Sequence, residues 1–163
     1  MKRILLIVVA IALAFVGQAF ARKAGQERKV DFQRYDSSYF ERNDTGLTAK
    51  TSYMVFTSRA QFDKIFGAAA TGGQNDFLPD NAFNTKVVIA AIARGNFLRT
   101  YDSPKVTTKN GKIYVWYKVN DRQQESATYA SPLILAVDKG RYSQVIFMQD
   151  GKRVGAATFP RAK

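Results

Sequence analysis

Hydrophobic side chains in this chain recur mainly at the spacing of β-strands. The segment KVVIAAIA at residues 86–93 is apolar at nearly every position and short, which predicts a central strand covered on both faces. In residues 112–120, alternate positions form two different faces, as in a strand with one face toward a core. Further strands are predicted at residues 51–57, 98–101, 105–108, 127–137, 142–149 and 153–157.

One helix is predicted after the first of these strands. Ser58 can cap its start by accepting a backbone N–H bond, and three apolar residues then recur at helical spacing on one face. These residues are Phe62, Ile65 and Phe66, and Gly67 is predicted to end the helix. Residues 68–85 are rich in Gly, Asn, Asp and Pro and are predicted to form a long loop.

Two dipeptides predict tight hairpin turns between strands. Asn110-Gly111 can adopt the positive φ angles of a type I′ turn, and Asp150-Gly151 offers the same for the last strand pair. A helix followed by a run of antiparallel strands predicts an α+β fold. We expect a single antiparallel, strongly twisted sheet, curled toward a barrel or a sandwich, with the short N-terminal helix packed on it.

The first 21 residues have the pattern of a secretory signal peptide. A basic start at Lys2-Arg3 precedes an apolar run at residues 4–16, and Ala19-Phe20-Ala21 is a small-x-small cleavage site. The apolar run is shorter than a bilayer-spanning helix requires. The sequence therefore predicts an exported protein, periplasmic or secreted, with no stable membrane span after cleavage.

The exported part is predicted to contain a flexible arm and one domain. Residues 22–49 are polar and mixed in charge, which is typical of an arm, and residues 50–163 form the α+β domain. Three aromatic residues near the end of the arm are expected either to pack locally or to contact a partner. They are Tyr35, Tyr39 and Phe40.

The composition excludes several kinds of chemistry. The chain contains no cysteine, so it has neither a disulfide nor the lipid-carrying cysteine of a lipoprotein. It also contains no histidine, which excludes serine–histidine and cysteine–histidine hydrolases and removes the commonest metal ligand. We therefore predict no catalytic residues, no metal site and no cofactor. A hydrolase that uses carboxylates or a serine–lysine pair stays open as an alternative.

One face of the strand at residues 112–120 is the best candidate for binding. It carries Tyr114, Trp116 and Lys118, and Arg99 is expected nearby. If exposed, such a row stacks on sugars or bases and attracts their anionic groups. The other interpretation is that the two aromatic rings belong to the core, beneath the helix or the arm.

The charge of the chain is strongly positive, at +12. Lysines dispersed along the strands are consistent with a soluble sheet that resists aggregation at its edges. Alternatively, they form a patch for lipopolysaccharide, an acidic polysaccharide or an acidic protein. Nucleic acid is not expected as the natural partner of an exported protein.

A resemblance to one protein family covers about residues 50–149. The segment YMVFTS at residues 53–58, the Phe62/Phe66 helix, the strand at residues 86–93 and ASPLILAV at residues 130–137 follow one another. This order resembles the C-terminal domain of the accessory (PrcB-like) subunits of surface protease complexes. Those domains have a Thr-Gly-Gly turn after the central strand, whereas Thr71-Gly72-Gly73 precedes it here. The resemblance implies a noncatalytic protein that supports or stabilises a partner, and no site residue can be transferred.

Three functions follow as hypotheses. The first is a noncatalytic exported protein-binding module that uses a sheet edge or the loop at residues 68–85. The second is a carbohydrate- or lipopolysaccharide-binding domain that uses Tyr114, Trp116 and neighbouring cations. The third is the hydrolase mentioned above.

Overall fold

Strands dominate the computed structural model, which describes residues 25–69 and 76–160. The strands are β1 (Arg28–Val30), β2 (Phe32–Arg34), β3 (Tyr39–Glu41), β4 (Thr51–Phe56), β5 (Phe66–Ala68), β6 (Lys86–Gly95), β7 (Phe97–Lys109), β8 (Lys112–Gln123), β9 (Tyr129–Asp138), β10 (Gln144–Gln149) and β11 (Lys152–Thr158). The helices are α1 (Arg59–Asp63) and α2 (Ala82–Thr85), with a 3₁₀ turn at Asp36–Ser38. The predicted signal peptide and Thr71-Gly72-Gly73 lie outside the described residues.

The described strands form three sheets. A five-stranded sheet has the order β1-β7-β8-β10-β11, and only its β8–β10 pair is parallel. A four-stranded antiparallel sheet has the order β2-β9-β6-β4, and β3 pairs with β5. The prediction of a largely antiparallel β fold with short helices is confirmed. The prediction of a single sheet is wrong, and the sheets do not close into a barrel.

The central strand β6 explains why one sheet is not enough. Its apolar side chains point to both faces of the four-stranded sheet, so both faces must be covered. Val87, Ile89 and Ala91 pack against the five-stranded sheet in an inter-sheet core. Val88, Ala90 and Ile92 pack in a second core on the opposite face. The two larger sheets therefore pack as a sandwich, with a third layer outside the four-stranded sheet.

The third layer contains α1, α2 and the β3–β5 pair. Ser58 caps α1 as predicted, because its hydroxyl oxygen accepts the backbone N–H of Gln61 at 3.3 Å. The helix is shorter than predicted and ends at Asp63. Phe66 and Gly67, predicted as its end, instead belong to β5, where the backbone pairs with Glu41 and Phe40 of β3.

Residues 28–41, assigned to a flexible arm from sequence, form β1, β2 and β3 instead. Tyr35 and Tyr39 are buried in the outer core, and the backbone N–H of Tyr35 donates to the carbonyl of Ile134 at 2.9 Å. Asp31 alone separates β1 from β2, so the chain passes from one large sheet to the other within a single residue. This segment closes one side of the sandwich.

Both predicted hairpin turns have the expected backbone angles. Asn110 and Gly111 have φ angles of 52° and 68°, and Asp150 and Gly151 have φ angles of 50° and 80°. The two strands predicted at residues 98–101 and 105–108 are one strand, β7, with a bulge between Asp102 and Lys105. The pairing with β8 continues on both sides of this bulge.

Gly155 allows β11 to approach β4 closely on the other side of the sandwich. A Cβ atom at this position would lie 2.1 Å from Cε2 of Tyr53, whose ring packs on Phe147 at a centroid distance of 4.6 Å. We expect Gly155→Ala to lower the free energy of unfolding by about 1 to 3 kcal/mol, since the ring must leave its contact. Urea denaturation measures this loss.

A double-mutant cycle controls for the cause of that loss. If the added methyl group acts through Tyr53, Tyr53→Ala together with Gly155→Ala destabilises the protein by less than the sum of the single effects. A Gly155→Ala variant as stable as the parent would contradict the close approach.

Candidate binding surface on the five-stranded sheet

Side chains of β8 alternate between the inter-sheet core and the outside of the sandwich. Ile113, Val115 and Tyr117 are buried in the inter-sheet core. Tyr114 and Trp116 lie on the opposite, outer face and are partly exposed, whereas Lys118 on the same face is exposed. The two aromatic residues therefore do not belong to the inter-sheet core.

The two outer rings are held in a defined arrangement. The rings of Tyr114 and Trp116 are nearly parallel, with an interplanar angle of 22° and a centroid distance of 6.3 Å. The indole N–H of Trp116 donates to the hydroxyl oxygen of Thr107 at 3.1 Å. Because Thr107 is buried, this hydrogen bond fixes the indole edge on β7. It also gives the indole N–H a hydrogen-bond partner.

Neighbouring strands place apolar and basic side chains beside the rings. On β7, Lys105 pairs with Trp116. On β10, Ile146 pairs with Tyr114 and Met148 pairs with Trp116. Directly paired residues share a face of a sheet, so Trp116 lies between Lys105 and Met148, and Tyr114 lies between Thr107 and Ile146.

Six cations surround this aromatic pair on the outer face, as the strand registers show. They are Lys29, Lys105, Lys109, Lys112, Lys118 and Arg153. None of the six is in an ion pair, although the described residues form seven such pairs elsewhere. We call these six cations together with Tyr114 and Trp116 the lysine–aromatic surface.

Acidic side chains are fewer than cations around this surface. Glu27 lines a depression of about 200 Å³ together with Lys109 and the two rings. A second depression, of about 250 Å³, lies on the other side of Trp116 and includes Asp150. Asp102 pairs with Lys118 across the strands. The balance of six cations and three carboxylates leaves the surface positive.

Arg99 does not join this surface, contrary to the sequence-based expectation. It pairs with Asp121 on the inner side of the sheet, where its Nε and one terminal nitrogen bind the two carboxylate oxygens at 2.7 and 2.6 Å. Its guanidinium carbon also lies 5.0 Å from the ring centre of Phe97. The hydrogen bonds from Arg99 lower the pKa of Asp121. Strand alternation places Arg99 on the same inner face as Tyr101. Arg99 therefore pairs with Asp121 on that face and does not reach Tyr114 or Trp116 on the outer face.

The other polar groups that bear on chemistry lie apart from the lysine–aromatic surface or are engaged within the fold. In the described part of the chain, no three or more acidic side chains converge to hold a metal ion. The hydroxyl of Ser143 donates to the carbonyl of Gly111 at 3.3 Å. Burial raises the pKa of the Tyr101 and Tyr117 hydroxyls, so both stay protonated.

None of the described helices has the length and apolar character needed to cross a membrane.

Comparison with family models, curated proteins and solved structures gives no match for this chain. The resemblance to the accessory subunits of surface protease complexes therefore stays a prediction.

Proposed function

We propose that this protein is a noncatalytic exported module that binds an anionic ligand, of the carbohydrate or lipopolysaccharide class, at the lysine–aromatic surface. One observation carries the proposal. Two partly exposed, nearly parallel rings are surrounded by six cations, and none of the six is ion-paired with a carboxylate of residues 25–69 or 76–160.

The charge distribution supports an anionic ligand. Unpaired like charges on one face repel each other, and their summed field attracts and concentrates anions. Arginines and lysines elsewhere do find carboxylates, for example in the Arg59–Asp63 and Lys86–Asp138 pairs. The cations of this face are thus left available for a ligand.

The aromatic pair supports a ligand with a face that can stack. Tyr114 and Trp116 together present a large apolar area, and the hydrogen bond to Thr107 already orients the indole, so little side-chain entropy of Trp116 is lost on binding. Lysine stems can lie along such rings while their ammonium groups reach anionic substituents. Sugars with acidic substituents present both features.

Binding to heparin, a sulfated polysaccharide, tests the proposal with a matched pair of variants. Lys105→Gln/Lys118→Gln removes two charges from the surface, and we expect about tenfold weaker binding, at up to 1 kcal/mol for each exposed charge pair. Affinity is measured by titration at fixed salt, because such binding depends on ionic strength.

The control removes the same charge elsewhere. Lys50 and Lys64 are exposed and form no ion pair within the described part of the chain. Lys50 immediately precedes β4 of the four-stranded sheet, and Lys64 caps the end of α1. Lys50→Gln/Lys64→Gln is expected to retain most of the affinity. Equal losses in both double variants would mean that net charge alone attracts heparin, which would contradict a binding surface.

A protein partner is the second candidate, and one observation favours it. Phe40 and Phe77 are large apolar residues that are 49% and 47% exposed. Phe40 belongs to β3, which pairs only with β5 among the strands of the described residues. Binding of this kind needs no anionic ligand and would survive the loss of Lys105 and Lys118.

A further inference from the structure

We propose that the natural ligand of the lysine–aromatic surface is a membrane surface that presents anionic phosphate head groups. This inference rests on the proposed function, because it specifies the source of the anionic groups. The occupant is the head-group layer of a lipid membrane, with the outer face of the five-stranded sheet lying on it.

The centre of this outer face is apolar. Ile146 lies on the outer face beside Tyr114 and is 6% exposed. Met148 is partly exposed beside Trp116, and Ala156 pairs with Ile146 from β11. Tyr114, Trp116, Met148 and Ala156 are the partly exposed apolar groups of this centre, which crosses three strands, and Ile146 lies among them.

The groups around that centre suit lipid phosphates better than individual sugar hydroxyls. A small-molecule site fixes its ligand with a few polar groups placed to converge on it. Here the N–H of Trp116 is already donated to Thr107. Five of the six surrounding cations are lysines, which act as point charges on flexible stems. Such charges can adapt to phosphates that have no fixed positions.

The radial order of the surface matches the layers of a membrane interface. Tryptophan and tyrosine rings favour the level of the head groups. Lysines around them can extend toward phosphates while their stems remain in contact with apolar groups. An apolar centre within a ring of cations therefore complements an anionic lipid layer in both charge and polarity.

Vesicle binding tests the inference with the form that begins at Arg22, which contains all described residues but lacks the apolar run at residues 4–16. We expect this form to sediment with vesicles of phosphatidylglycerol and phosphatidylcholine in equal parts, and not with pure phosphatidylcholine. Trp116 is the only tryptophan, so a blue shift of its emission reports burial of this surface.

Two sets of variants separate the charged rim from the apolar centre. Lys105→Gln/Lys118→Gln is expected to weaken vesicle binding about fivefold for each charge removed, or roughly 30-fold for the double variant. Lys50→Gln/Lys64→Gln is expected to weaken vesicle binding much less. Met148→Gln keeps the side-chain length but removes apolar contact, and we expect about fivefold weaker binding. The melting temperature of each variant shows whether it remains folded.

The outcomes distinguish this inference from the proposed function. Binding to heparin without binding to anionic vesicles overturns the membrane ligand and leaves the anionic ligand in place. Binding to neither overturns both proposals. Equal binding to pure phosphatidylcholine, or unchanged vesicle binding by a folded Met148→Gln variant, also overturns the membrane ligand.

Discussion

Phe62→Ala is expected to lower the free energy of unfolding by about 3 to 5 kcal/mol. The Phe62 side chain is fully buried, and its ring contacts four other aromatic rings at centroid distances of 4.9 to 6.2 Å. These are the rings of Tyr39, Phe56, Phe66 and Phe83. They come from four different elements, β3, β4, β5 and α2, so no single neighbour can move to fill the cavity.

The physical reason for this large effect is the position of Phe62 over the central sheet. Its cluster covers Val88, Ala90 and Ile92 of β6, and truncation leaves a cavity as well as lost apolar burial. Urea denaturation measures the loss. Phe77→Ala is the matched control, because Phe77 is 47% exposed and, among the aromatic pairs of the described residues, its ring contacts only that of Tyr39, at 5.8 Å. Equal effects of the two substitutions would contradict the packing described.

Glu41→Ala is expected to cost about 3 kcal/mol, at the lower end of the range for breaking a buried ion pair. The carboxylate of Glu41 binds the guanidinium of Arg94 through two hydrogen bonds of 2.7 and 2.6 Å. The side chains are only 7% and 14% exposed, respectively. Loss of the carboxylate leaves a cation with little access to water.

Two other hydrogen bonds of Arg94, which remain in the Glu41→Ala variant, explain why we expect a loss at the lower end of the range for a buried ion pair. Arg94 also donates to the carbonyl of Ala49 at 2.8 Å and to the hydroxyl of Ser52 at 2.9 Å. Asp44→Ala is the control, because its carboxylate is 79% exposed and lies 3.6 Å from Arg42. We expect its effect to stay within about 0.5 kcal/mol. If Glu41→Ala changes urea stability no more than Asp44→Ala, the buried pair contributes nothing.

The parts of the fold that could be predicted from sequence are those that depend on local patterns. The turn at Asn110-Gly111 and the cap at Ser58 require only neighbouring residues, and the apolar run of β6 indicates its burial by itself. The strands β1, β2 and β3 have three residues each, which is too short and too polar to show alternation. These three strands form because they pair with strands that are distant in sequence.

The division into separate sheets depends on long-range pairing that no local pattern contains. The chain leaves the five-stranded sheet after β8, crosses to the four-stranded sheet as β9, and returns as β10 parallel to β8. This return places Ile146 and Met148 beside the aromatic pair, and no local pattern in the sequence indicates that either residue lies there. Tyr114, Trp116 and Lys118 were predictable as a row because they alternate within one strand.

Acrylamide quenching of Trp116, measured with and without heparin, tests the binding surface most directly. In the free protein we expect measurable quenching, because the indole ring is partly exposed. Bound heparin is expected to protect the ring and shift its emission to shorter wavelength. If heparin binds, as shown by separate titration, while the quenching and emission of Trp116 stay unchanged, the ligand lies elsewhere and the central claim is contradicted.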